Sequence, residues 1–129
     1  MTLSTTLRIA ARNLIDTFGN TVAVYTYSTA TKTTSEEGDV TITNWGSSTA
    51  GKAVDGDNMS QELVQTMQLK ENLGDDQKII RDDLTVAVND RLTESGVDYR
   101  IDSIAPTITQ DVVVIQIITV SKVTDTTNW

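Results

Sequence analysis

The stretch NDRLTESGVDYRIDSIAPTITQDVVVIQIITVSK, residues 89–122, decides the fold. In its first half Val97, Tyr99 and Ile101 alternate with Asp98, Arg100 and Asp102. That is the period of a strand with one buried and one wet face. Its second half, Val112 to Val120, is apolar on both faces. Val113, Ile115 and Ile117 fall on one side, and Val112, Val114, Ile118 and Val120 on the other. Such a strand belongs inside a closed sheet or beneath a covering element. Pro106 has no N–H to give to a ladder, and it marks the turn region between the two halves.

The covering element is found at the start of the chain. Leu7, Ala11, Leu14 and Phe18 recur on one helical face, with Ala10 and Ile15 beside them. The spacing predicts a helix over about 4–18, capped by Ser4 or Thr6 and ended by Gly19. Arg8 and Arg12 lie on its polar face, either solvated or as a docking face for an acidic partner. TVAVYTYSTATKTT, residues 21–34, with Val22, Val24, Tyr25 and Tyr27 among many Thr, then reads as a strand, SEEGD as a turn, and VTITNW as a second strand able to form a hairpin with the first. Residues 46–60, GSSTAGKAVDGDNMS, read as a long exposed loop, either with a binding or gating role or as an idle flexible insertion. QELVQTMQLKENLGDD fits a short helix or a strand equally well. Over 78–92 helical and alternating patterns compete, and the β-branched residues favour two short strands, Lys78–Arg81 and Leu84–Val88. The expected architecture is one mainly β domain. It is a small antiparallel barrel over about 21–122, with the N-terminal helix, the inserted loop and a polar tail at 123–129.

Composition narrows the chemistry. The chain has 129 residues, a net charge of −8, and neither Cys nor His. Thiol chemistry and disulfides are therefore excluded, and the commonest general base and metal ligand are absent. The acidic balance argues against wrapping DNA, which takes Lys and Arg to neutralise phosphate. It suits a wall that DNA slides past without sticking. No apolar run reaches the roughly 20 residues of a membrane span, and the first 20 residues lack the pattern of a secretory signal.

Motifs that carry chemistry fail on their details. Asp55 and Asp57 have the spacing of calcium-loop carboxylates, but Met59 stands where the next oxygen ligand belongs and Thr66 where a bidentate Glu belongs. Gly46 to Lys52 matches a phosphate-binding loop up to its Lys, but Ala53 replaces the hydroxyl that holds Mg²⁺. The pairs Asp75/Asp76 and Asp82/Asp83 read as solvated turn residues. No nucleophile–base constellation is legible. The expectation is a protein without catalytic residues, cofactor or metal.

The order of elements resembles the head-closure (stopper, or head–tail joining) proteins of tailed bacteriophages. The residues that carry the resemblance are KIIRDDL, Asn89-Asp90-Arg91-Leu92, Gly96, Tyr99-Arg100-Ile101, Ile104-Ala105-Pro106 and the final apolar strand. The specific part runs from Lys78 to Lys122. Asn89 departs from the family, which often has Gly there, and residues 60–76 do not align. The resemblance implies a ring of six or twelve copies in the virion neck, and a host-cytoplasmic location during assembly. Its partners would be a portal or adaptor protein above and a tail terminator or tail protein below, with double-stranded DNA passing through without sequence-specific binding. By position, Trp45, Gly46, Ser47, Ser48, Thr49, Gly51, Lys52, Asp55, Asp57 and Met59 would form the channel or tail-contact loop. Apart from the resemblance, Trp129 at the end of the polar tail reads either as a frayed residue or as an anchor for a neighbouring subunit. Two alternatives stand beside the head-closure reading. A tail terminator or tail-completion protein would make Ile79–Leu92 helical, and a ligand-binding β module would need clustered exposed aromatics.

Overall fold

The computed structural model describes residues 3–56, 73, 74, 76–109, 112–124 and 129. A helix, α1 (Leu3–Phe18), precedes eight strands: β1 (Asn20–Tyr25), β2 (Thr31–Thr34), β3 (Val40–Asn44), β4 (Thr49–Asp55), β5 (Gln77–Arg81), β6 (Arg91–Glu94), β7 (Val97–Thr109) and β8 (Val112–Lys122). Six strands close an antiparallel barrel in the order β1-β4-β5-β8-β7-β6, and β2 and β3 form a separate two-stranded sheet. The expected mainly β barrel with an N-terminal helix is what the chain forms.

Each barrel strand contributes to one interior cluster: Val22, Val24, Ala53, Ile80, Leu92, Ile101, Ile118 and Val120. The opposite face of β4, β5 and β8 is covered by α1. There Ala11 and Ile15 pack on Val54, Ile79, Val114 and Ile115, with Leu7, Leu14 and Ile117 at the margin. This is why β8 is apolar on both sides: it separates two cores. Its faces are not those of simple alternation, because Val114 joins Ile115 on the helix side. The β7–β8 register shifts between Thr107 and Ile108, which leaves Val114 as the extra residue.

The helix begins at Leu3, so Ser4 and Thr6 lie inside it and neither is its cap. It ends where expected, with the Gly19 N–H donating to the Ile15 carbonyl. A Cβ on Gly19 would sit 2.5 Å from that carbonyl oxygen and 3.1 Å from Lys52 Cβ, so the chain turns from α1 into β1 only through glycine. The β6–β7 hairpin closes on two residues, Ser95 at φ 51° and Gly96 at φ 80°. Two positive φ angles match the twist of the flanking strands.

Four sequence expectations are corrected. TVAVYTYSTATKTT is not one strand: Asn20–Tyr25 is β1, which pairs with β4 and β6 inside the barrel, while Thr31–Thr34 is β2, which makes the expected hairpin with β3 across the SEEGD turn. The stretch 46–60 is not one exposed loop, because Thr49–Asp55 is barrel strand β4. Its low hydrophobicity misled: Ala50 and Lys52 point outward, and only Ala53 and Val54 need be apolar. Leu84–Val88 is not a strand, since β5 ends at Arg81 and no partner continues the ladder. Pro106 is not in the turn but inside β7, opposite Gln116. It is tolerated because β6 pairs with β7 only as far as Arg100, so beyond that point β7 is an edge strand. The helix-or-strand segment 61–72 lies outside the described residues.

Candidate functional site

The segment between β5 and β6 stoppers one end of the barrel. Leu84 and Val86 pack against the interior cluster. Gln116 Nε2 donates to the carbonyls of Arg81 and Leu84, each at 2.9 Å, and so binds the turn to β8. Asp90 is buried, and its carboxylate accepts from the N–H groups of Tyr27 (2.9 Å) and Ala87 (2.8 Å). Asn89 stands at φ 76°, and its N–H donates to the Ile101 carbonyl. The alternation of Leu84 and Val86 that reads as a strand thus serves an inward-facing plug.

Beside the plug the barrel wall is open. β4 pairs with β1 over Asn20–Val24, but with β5 only from Ala53 to Asp55. On the β5 side the backbone of Thr49–Lys52 has no strand partner among the described residues. A cleft of about 360 Å³ lies there, lined by Thr49 to Lys52, Asp16, Arg81, Asp83 and Leu84. Leu84 closes its inner side, with Cδ2 2.9 Å from where a Gly51 Cβ would be. Lys52 Nζ donates to Thr21 Oγ1 at 2.8 Å.

An ion-pair network ties α1 to this region. Arg12 makes two hydrogen bonds to Asp82, at 2.7 and 2.8 Å, and Asp82 is 8% exposed. That hydrogen bond, helped by the charges of Asp82 and Asp83, raises the Arg12 pKa despite partial burial. Arg81 bonds Asp83 at 2.7 and 2.9 Å and Asp16 at 2.7 Å. The hydrogen bond to Asp83 raises Arg81, and the same bond holds Asp83 below the usual carboxylate range. Arg8 approaches Asp82 to 4.0 Å. Of the two arginines read as a solvated or docking face, Arg12 is thus engaged by the chain's own turn, and Arg8 lies at the margin of the same contact. Asp82 is not a solvated turn residue.

The other barrel end holds a buried charge cluster. Lys78 Nζ donates to Asp55 and, at 3.4 Å, to Glu94, and sits 4.7 Å from the Tyr99 ring centre. Burial opposes the charge on Lys78. The hydrogen bond to Asp55, then the charges of Glu94 and Asp55, outweigh it and raise its pKa. Glu94 Oε1 is buried without a partner among the described residues. Sequence reasoning missed this cluster. The signal was present, since Asp55, Lys78 and Glu94 occupy inward positions, but inwardness depends on register.

A third assembly joins distant aromatics. Trp45 packs against Tyr25, Tyr27 and Trp129, with ring centres 5.3–6.5 Å apart. Arg91 stacks on both Tyr25 and Trp129, at 4.8 and 4.9 Å. Trp129 is thus placed against its own chain, with Ala30 and Ile42 in the same cluster. A shallower cleft of about 210 Å³ runs between Tyr27, Val40, Ile42, Asn89, Arg100 and Trp129.

The ten residues expected in one loop are not brought together as one. Trp45 is buried in the aromatic cluster; Gly46, Ser47 and Ser48 are an exposed link; Thr49, Gly51, Lys52 and Asp55 belong to β4. Asp57 and Met59 lie outside the described residues. Among the described residues there is no group of three or more metal-type ligands, and no helix is long and apolar enough to cross a membrane. No family model, curated protein or solved structure matches the chain.

Proposed function

We propose that the chain is a structural neck protein of a tailed phage, closing the DNA-filled head and presenting a platform to the tail. The observation that carries this reading is the combination of a closed six-stranded barrel, one covering helix and a β7–β8 hairpin running past the barrel. Asn89 supports it locally. At φ 76° it takes the left-handed conformation that the family's usual Gly adopts freely and that Asn tolerates best among other residues. The net charge of −8 suits a channel wall that repels phosphate. The tail-terminator alternative calls for helix over Ile79–Leu92, where the chain instead runs as the end of β5, a plug and the start of β6.

Light scattering of the purified protein, alone and with portal–adaptor particles, tests the proposal. Recruitment of a ring onto those particles is the expected result. A protein that ignores them and caps purified tail tubes would be a terminator, and the neck reading would be wrong.

A further inference from the structure

We infer that copies of this chain join head to tail by strand addition. The β7–β8 arm of one copy lies along the open β4 edge of the next. The inference needs only the geometry of this chain and holds whether or not the neck reading does.

Two backbone edges without a strand partner among the described residues carry it. The first is the β4 edge at Thr49–Lys52, which opens into the 360 Å³ cleft. The second is β7 from Asp102 to Thr109, which has β8 on one side and no strand on the other among the described residues. Each edge presents N–H and C=O groups that a neighbouring strand would satisfy. They lie on different parts of the surface, so their pairing is heterologous and propagates into a ring or filament. In a closed ring every copy makes the contact twice, so no single short strand pair has to hold the assembly.

The composition of the arm points to another copy as the occupant. The chain is 22% charged with a net charge of −8, so most of its surface repels a second copy. Residues 103–110, on the side of the arm away from the helix core, contain no ionisable side chain. Charge depletion of this kind marks the centre of interfaces. Ile108, 59% exposed on this arm, is the most exposed of the large apolar residues among those described. On the receiving side the four charged side chains of the cleft, Asp16, Lys52, Arg81 and Asp83, sum to zero, so the local field does not oppose an acidic neighbour. Pro106 supplies specificity: it has no N–H to offer, so pairing through the middle of the arm is weakened and only registers that avoid it are favoured.

The absence of cysteine makes the test direct. Ala50→Cys places a thiol on the outer face of β4, and Ser103→Cys, Ala105→Cys and Thr107→Cys sample the outer face of the arm. All four sites are small and outside the core, and circular dichroism checks that each variant folds. Each arm variant is mixed with Ala50→Cys under mild oxidation, and dimers are read by mass without reductant. At least one mixture should give several-fold more disulfide dimer than either variant alone, and the matching double variant should give a ladder beyond dimer. Dimers no more abundant in mixtures than in single variants would overturn the head-to-tail pairing, as would monomer throughout. Ile108→Lys should abolish the ladder while leaving the fold intact; an undiminished ladder would also sink the assignment of the arm.

Discussion

Lys78 shows at the residue scale how much depends on register. Three ionisable groups share the mouth of a six-stranded barrel, and the single cation is 5% exposed. Removing it leaves Asp55 and Glu94 half-desolvated and mutually repulsive. Lys78→Ala should therefore cost about 3–5 kcal/mol in urea unfolding, the range for breaking a buried ion pair by removing one partner. Replacing Asp55, Lys78 and Glu94 together by Leu, Met and Leu should recover most of that loss, because no buried charge is then left unpaired; a triple variant as unstable as the single would refute the ion-pair account. The pH dependence has a definite sign. The folded-state pKa of Lys78 lies above the ordinary lysine value of 10.5. Its contribution is fully present below the unfolded value and is lost as pH rises through the folded one. Melting temperature should fall more steeply above pH 10.5 in the wild type than in the triple variant. Asp90 is a second decisive residue. Asp90→Ala strips two backbone N–H groups of a buried acceptor and should destabilise by about 2–4 kcal/mol.

At the scale of elements, α1 is held by a core and by a fork. Ile15 is fully buried between α1 and the barrel, so Ile15→Ala should cost about 2–5 kcal/mol by calorimetry. The bidentate Arg12–Asp82 bond is separable from that packing. A double-mutant cycle with Arg12→Ala and Asp82→Ala should give a coupling of about 1–3 kcal/mol, larger than an exposed pair because Asp82 is shielded. A coupling near zero would reduce the fork to a surface ion pair. Asp83 adds an acid-side effect. Its pKa is lowered by the hydrogen bond to Arg81, so its contribution is present above the unfolded value and lost as pH falls below about 3.8 toward the folded one. The plug between β5 and β6 illustrates why alternation misleads. Leu84 and Val86 do point inward, as strand residues would, but a strand needs a partner and Gln116 takes the carbonyls instead.

For the whole molecule, the sequence by itself determined the class, the helix and the two-sided burial of β8. Those follow from periodicity: 3.6 over residues 4–18, 2.0 over 97–101, and a continuous apolar run at 112–120, each local in the chain. It also excluded thiol and imidazole chemistry outright, since neither side chain is present. What only the tertiary structure decided was every pairing between segments far apart. Thr49–Asp55 became a strand because β1 and β5 offer it edges, although its own residues read as loop. Arg12 found Asp82 seventy residues away, and Trp45 found Trp129, by the same closure of the barrel. The physical reason is that hydrophobic period fixes which face of a segment is buried, while register and strand order are set by the joint packing of all six strands. The free edges of β4 and β7, on which assembly is inferred to depend, are products of that closure and leave no trace in local composition beyond the missing charges of the arm.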